Sequence, residues 1–165
     1  MLKKYIFGCL FFLLALSACE RDDICAASTP TTPQLVIAFF DANNRTESKK
    51  INLAVVAVGG DDTIRISNDT IIRVPLRTDT TSTSFIFIKN EGIPDAEEDP
   101  NTPDRVNFSY NINEVYIDRA CGFKVTYDAL TAQASDEGDG RWITDISINN
   151  STIDNDSIYQ VSIIH

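Results

Sequence analysis

Cysteine is the residue type with the most chemistry to offer in this sequence, and its four copies fall at unequal stations. Cys9 lies inside an apolar run, Cys19 ends that run directly after Leu16-Ser17-Ala18, and Cys25 and Cys121 follow in more polar surroundings. Leu-Ser-Ala-Cys has the form of a lipobox, in which two small residues let a peptidase reach the backbone and the cysteine thiol carries a diacylglyceryl thioether. Cys9 would be discarded with the leader and Cys19 acylated, leaving Cys25 and Cys121 as a pair. In an oxidising compartment an even pair reads as a disulfide. The alternative for that pair is two buried free thiols.

The leader supports this reading in its parts. Lys3 and Lys4 form a positive start, and Tyr5 to Leu16 is almost wholly apolar. A membrane-spanning helix needs about 20 apolar residues, and this run stops at Cys19, before the charged Glu20-Arg21-Asp22-Asp23. As a helix of a soluble core it would have to bury every face. Two acyl chains hold a protein stably on a membrane where one does not, so Cys19 alone suffices as the anchor. The expected organisation is a signal peptide over 1–18, a lipidated tether over 19–33 and a single domain over 34–165.

Other chemistry is thinly supplied. The one histidine, His165, is the last residue, where ordering is usually poor, so no Ser-His-Asp or Cys-His arrangement is expected around it. The 24 acidic residues leave a carboxylate-based hydrolase as an alternative, with no pair identifiable from spacing. Oxygen-rich clusters at Asp41-Ala42-Asn43-Asn44, Asp95 to Asp104 and Asp136 to Gly140 suit calcium as a ligand type. Gly138, however, stands where an EF-hand loop needs a ligand. The reading adopted is solvated acidic loops, with no metal, no cofactor and no catalytic residue. A net charge of −10, made more negative by loss of Lys3 and Lys4, disfavours nucleic acid and anionic headgroups as direct partners.

Short apolar runs with period-two alternation recur from Gln34 onward, divided by turn-forming clusters. Gln34–Phe40 reads as a doubly buried strand, and Pro75 makes the end of its strand an edge or a strand terminus. Val106, Phe108 and Tyr110 should share one face. Val115 and Ile117 do so in a separate strand, as do Phe123, Val125 and Tyr127 after a turn at Cys121-Gly122, where glycine supplies a positive φ. Asn90 to Asp104 and Asp128 to Gly140 read as polar loops, and Trp142 as a core residue. The sum is an all-β fold of about nine strands, an antiparallel β-sandwich of immunoglobulin-like or transthyretin-like architecture.

Two further patterns bear on location. Arg21-Asp22-Asp23 resembles the export signal that follows the acylated cysteine of surface-displayed lipoproteins in Bacteroidetes. Four tripeptides match the O-glycosylation pattern of that group, making Thr63, Thr70, Thr80 and Ser157 the acceptor candidates. Cys19 to Cys25 with Thr29 to Ile37, Pro75-Leu76, and Ala120 to Phe123 together resemble an uncharacterised Bacteroidetes lipoprotein family, a domain of unknown function. That resemblance implies export, two non-lipid cysteines and a β-domain, and carries over no functional residues. The expectation is an outer-membrane lipoprotein, its balance tipped toward the cell surface over the periplasmic face. Its role would be a binding or structural accessory module for an envelope protein or glycan; the alternative is a carbohydrate-active or calcium-dependent domain using loop carboxylates.

Overall fold

A computed structural model describes residues 24–90, 103–136 and 140–165. The leader, Cys19 and most of the Asn90 to Asp104 segment lie outside these, as do Glu137–Asp139. Nine strands account for the regular structure, and the described residues include no helix. They are β1 (Leu35–Phe40), β2 (Ile51–Ala57), β3 (Thr63–Asp69), β4 (Ile71–Val74), β5 (Ser82–Lys89), β6 (Pro103–Asp118), β7 (Gly122–Asp136), β8 (Asp145–Ile148) and β9 (Val161–Ile164). Two sheets result, a four-stranded one in the order β4-β1-β9-β8 and a five-stranded one in the order β3-β2-β5-β6-β7. The fold is the expected all-β sandwich, antiparallel in most pairings.

The exception is β1, which lies parallel to β9 and antiparallel to β4. A central strand paired on both edges must be apolar on both faces, and Leu35 to Phe39 are all buried. Gln160 starts the parallel pairing with its side chain. Its Oε1 accepts from Val36 N at 3.0 Å while its own backbone N–H donates to Val36 O at 3.0 Å. Pro75 stops β4 at Val74, so it is the strand's terminus, and β4 is also an edge strand. β3 and β4, though nearly contiguous in sequence, do not pair, and the bend expected between them begins inside the end of β3. With Asn68 at φ 55, it passes the chain from the five-stranded sheet to the four-stranded one across the single residue Thr70.

Between the sheets sits a core that includes Phe39, Phe85, Phe87, Phe108 and Tyr127. Phe85 meets Phe87 and Phe108 edge-on at 6.3 and 6.2 Å, and Tyr110 meets Tyr127 at 5.0 Å, the tilted geometry that aromatic quadrupoles favour. The two tyrosines also fix the chain after Pro75. Tyr127 Oη donates to Leu76 O at 3.2 Å and Tyr110 Oη donates to Arg77 O at 2.9 Å. With the Tyr110 proton so used, the Thr83 hydroxyl donates to Tyr110 Oη at 2.6 Å and accepts from Arg77 N at 3.0 Å. Every polar atom in that ring is thereby satisfied inside the core.

Four sequence expectations are corrected. The runs ending at Tyr110 and beginning at Glu114 are one 16-residue strand, β6. Asp128 to Asp136 is the second half of β7, not a loop. Inward positions shift from odd to even numbers there, because Tyr127 and Leu130 are both buried with Ala129 at φ 50 between them. One extra residue of this kind breaks the period that sequence reading relies on. Phe123 keeps the alternation with Tyr127 but is 64% exposed. Finally, His165 is buried, packed edge-on against Phe39 at 6.0 Å and Trp142 at 5.7 Å, and Trp142 is half-buried against the core.

The described chain forms two compact units. The smaller holds the segment up to Pro30 with Tyr116–Phe123, and the larger holds Thr31–Val115 and Lys124–His165. Burial separates the aromatic residues sharply. Phe108→Ala, which empties a core position, should lower urea-unfolding stability by about 3–5 kcal/mol, and Phe123→Ala should change it by no more than about 0.5 kcal/mol. Equal losses from both would contradict the assignment of faces.

Candidate interaction surface

The turn from β6 to β7 carries exposed apolar side chains of the smaller unit beside the Cys25–Cys121 cross-link. Asp118 opens the turn, its Oδ1 accepting from Ala120 N at 2.9 Å and Cys121 N at 2.7 Å. A short carboxylate that bonds its own backbone two and three residues on is the ordinary chemistry of such a turn. Gly122 follows at φ +72, with space for a Cβ but a backbone conformation that L side chains rarely adopt. Between them Cys121 bonds Cys25, with a Cα–Cα distance of 4.8 Å. Thr29 Oγ1 lies 3.4 Å from Cys121 Sγ, and Thr29 N donates to Ala26 O at 2.9 Å, which curls the tether beside the bridge.

Around this bond Ile24 is 82% exposed, Phe123 64% and Tyr116 58%. Tyr116 and Phe123 pack edge-on with ring centroids 5.2 Å apart. Solvated aromatic pairs contribute little to folding, and a cluster of exposed large apolar side chains marks a surface that meets something else. Alternation groups Val115 with Ile117 on one face of this stretch. Tyr116 lies on the opposite face, and its proximity in sequence to the aromatic Phe123 across the turn is the signal that could have marked the pair.

The remaining candidates lie apart from one another. Asp41, from the first oxygen-rich cluster, accepts from Asn43 N at 2.7 Å and Asn44 N at 3.2 Å and pairs with Lys49 Nζ at 3.0 Å. The Lys49 side chain, with those two backbone N–H groups, pulls its carboxyl down to about 2. Asp128 accepts from the side-chain amides of Asn111 at 2.8 Å and Asn113 at 2.7 Å. Asp104 is buried and accepts from Trp142 N at 3.1 Å and Ile143 N at 2.8 Å, so it joins β6 to the segment leading into β8. These carboxylates hold backbone and amide groups, each where its own segment needs an acceptor. Among the described residues no group of three or more His, Cys, Asp or Glu is placed to hold a metal ion. The rest of the second and third oxygen-rich clusters, apart from Pro103, Asp104 and Gly140, falls outside the described side chains.

Of the four hydroxyl candidates, Ser157 is exposed in the loop before β9, while Thr63, Thr70 and Thr80 are half-buried. Thr80 borders a shallow cleft of about 380 Å³ lined by residues that include Val58, Pro75, Arg77 and Ser84. Arg77, its one cation, is engaged with Asp79 through two bonds of 2.9 and 2.7 Å.

A family model matches residues 52–165, a span that includes the turn, Tyr116, Cys121 and Phe123. The chain belongs to DUF6452, a family of unknown function. The DUF6452 match leaves β1, the tether and Cys25 outside it. No curated protein and no solved structure matches the chain.

The Asp41 cluster gives a pH dependence whose sign can be stated. An ordinary unfolded Asp titrates near 3.9, and the folded Asp41 titrates at about 2. The folded state therefore binds fewer protons in that window, and its stability falls as pH drops from about 4 through about 2. In Asp41→Asn the urea midpoint should decline less steeply across that interval than in the parent chain. Parallel declines would show that the carboxylate makes no such contribution.

Proposed function

We propose that this chain is a lipid-anchored lipoprotein of the bacterial cell envelope that serves as a non-catalytic binding or accessory module. The observation that carries the reading is the Cys25–Cys121 disulfide. It sits six residues after the lipobox cysteine, and disulfides of this structural kind persist outside the reducing cytosol. The Lys3-Lys4 start and the apolar run to Leu16 supply the export signal such a compartment demands. With Cys19 acylated, the anchor precedes the disulfide by a short charged tether. The Bacteroidetes-like Arg21-Asp22-Asp23 stretch favours the outer membrane and, within it, the cell surface.

The accessory role rests on what the side chains are used for. The carboxylates described above satisfy backbone and amide donors, and the chain's single histidine is packed between two aromatic rings. The apolar turn around Cys121 is surface of the sort that proteins use for contact. Partners of this module would be an envelope protein or glycan.

Cell fractionation tests the anchor. The parent chain should sediment with membranes and Cys19→Ala should appear in the soluble or secreted fraction. Retention of Cys19→Ala in the membrane pellet would place the attachment elsewhere and remove the reading.

A further inference from the structure

Ile24, Tyr116 and Phe123 have the highest fractional exposure among the exposed large apolar side chains of the described residues, and all three belong to the smaller unit. Their position along the covalent chain is as telling as their exposure. Cys25 lies six positions after Cys19, a length that reaches roughly 20 Å when fully extended. Cys25 is bonded to Cys121, and Phe123 follows two residues later. A lipid on Cys19 therefore keeps this apolar turn within a short tether's reach of the bilayer at all times. Without the disulfide, the path from Cys19 to Phe123 along the backbone would exceed a hundred residues.

We infer that the disulfide-bonded β6–β7 turn is a second membrane attachment, with Ile24, Tyr116 and Phe123 seated in the headgroup region of the bilayer that holds the Cys19 lipid. The inference rests on the lipid-anchor reading above. Aromatic side chains with an apolar body and, in Tyr116, a polar tip suit the boundary between headgroups and hydrocarbon. Asp118 spends its carboxylate on the turn's own N–H groups. Arg119, exposed at the turn, provides a cation for lipid phosphates. The chain's overall negative charge opposes recruitment from solution. The turn therefore docks once the lipid has delivered it, and the effective concentration set by the short tether offsets the charge.

Site-specific photo-crosslinking in native membranes tests this. The full chain would carry p-benzoylphenylalanine in place of Phe123, or in a second variant in place of Tyr116, with Ile158 of the larger unit (51% exposed) replaced as the control. After irradiation, the membrane pellet would be digested and analysed by mass spectrometry. The inference expects a phospholipid adduct at positions 123 and 116, well above that at 158. The adduct should fall several-fold in a chain also bearing Cys25→Ser and Cys121→Ser. A sedimenting chain with adducts to a second copy or another protein, or with no excess lipid adduct at either turn position, would overturn the docking and leave the anchor intact. A chain that does not sediment would overturn the anchor, and the docking with it.

Discussion

One covalent bond, between Cys25 and Cys121, determines how the tether and the strands constrain each other. It joins residues 96 apart in sequence, and closing a loop of that size restricts the unfolded chain by about 4–5 kcal/mol, an upper figure. The bond also makes the Ser/Thr/Pro-rich tether, up to Pro30, part of a compact unit. Ile24 and Cys25 to Pro30 acquire fixed neighbours at the β6–β7 turn, which a free tether would lack. Such bonds persist in oxidising compartments, so the proposed envelope location and the order of the tether draw on the same pair of atoms.

The larger unit is organised around a different constraint, the need to bury β1 on both faces. β9 meets that need on one edge and β4 on the other, so the first and last strands of the fold lie side by side. Gln160 begins the pairing one residue ahead of β9, and the paired tyrosines of β6 and β7 hold the connection that follows β4. These polar groups sit inside the core, and each is satisfied by backbone. An unsatisfied partner in any of them would cost about 1–3 kcal/mol.

Much of this was legible in the sequence, and the remainder was hidden for identifiable reasons. Alternation placed Val106, Phe108 and Tyr110 on one face, continuity marked β1 as doubly buried, and Pro75 marked where β4 stops; cysteine parity named the bridge. The second half of β7 was concealed by the step at Ala129 and by Ala132 and Ala134, whose small side chains give a weak apolar signal. Polar Asn111 and Asn113 hid the continuity of β6, since their partner, Asp128, lies across the turn on the next strand. Strand partnership itself is non-local. Neither the parallel pairing of β1 with β9 nor the sheet change at Thr70 has any short-range trace. Burial of His165 was missed because a chain end is ordinarily mobile, whereas here Phe39 and Trp142 enclose it. The apolar turn went unread because Phe123 follows the same alternation as the buried Tyr127, and only the three-dimensional course of β7 separates their fates.

The family match alone says nothing of activity, and the proposed envelope role depends on covalent chemistry at three cysteines. Peptide mapping by mass spectrometry under non-reducing conditions, on protein isolated from the cells that make it, addresses all three together. The account predicts a chain beginning at a lipid-modified Cys19, with the Cys25 and Cys121 peptides linked until reductant is added. A chain still carrying its leader, with Cys19 unmodified and Cys25 and Cys121 as free thiols, would contradict it.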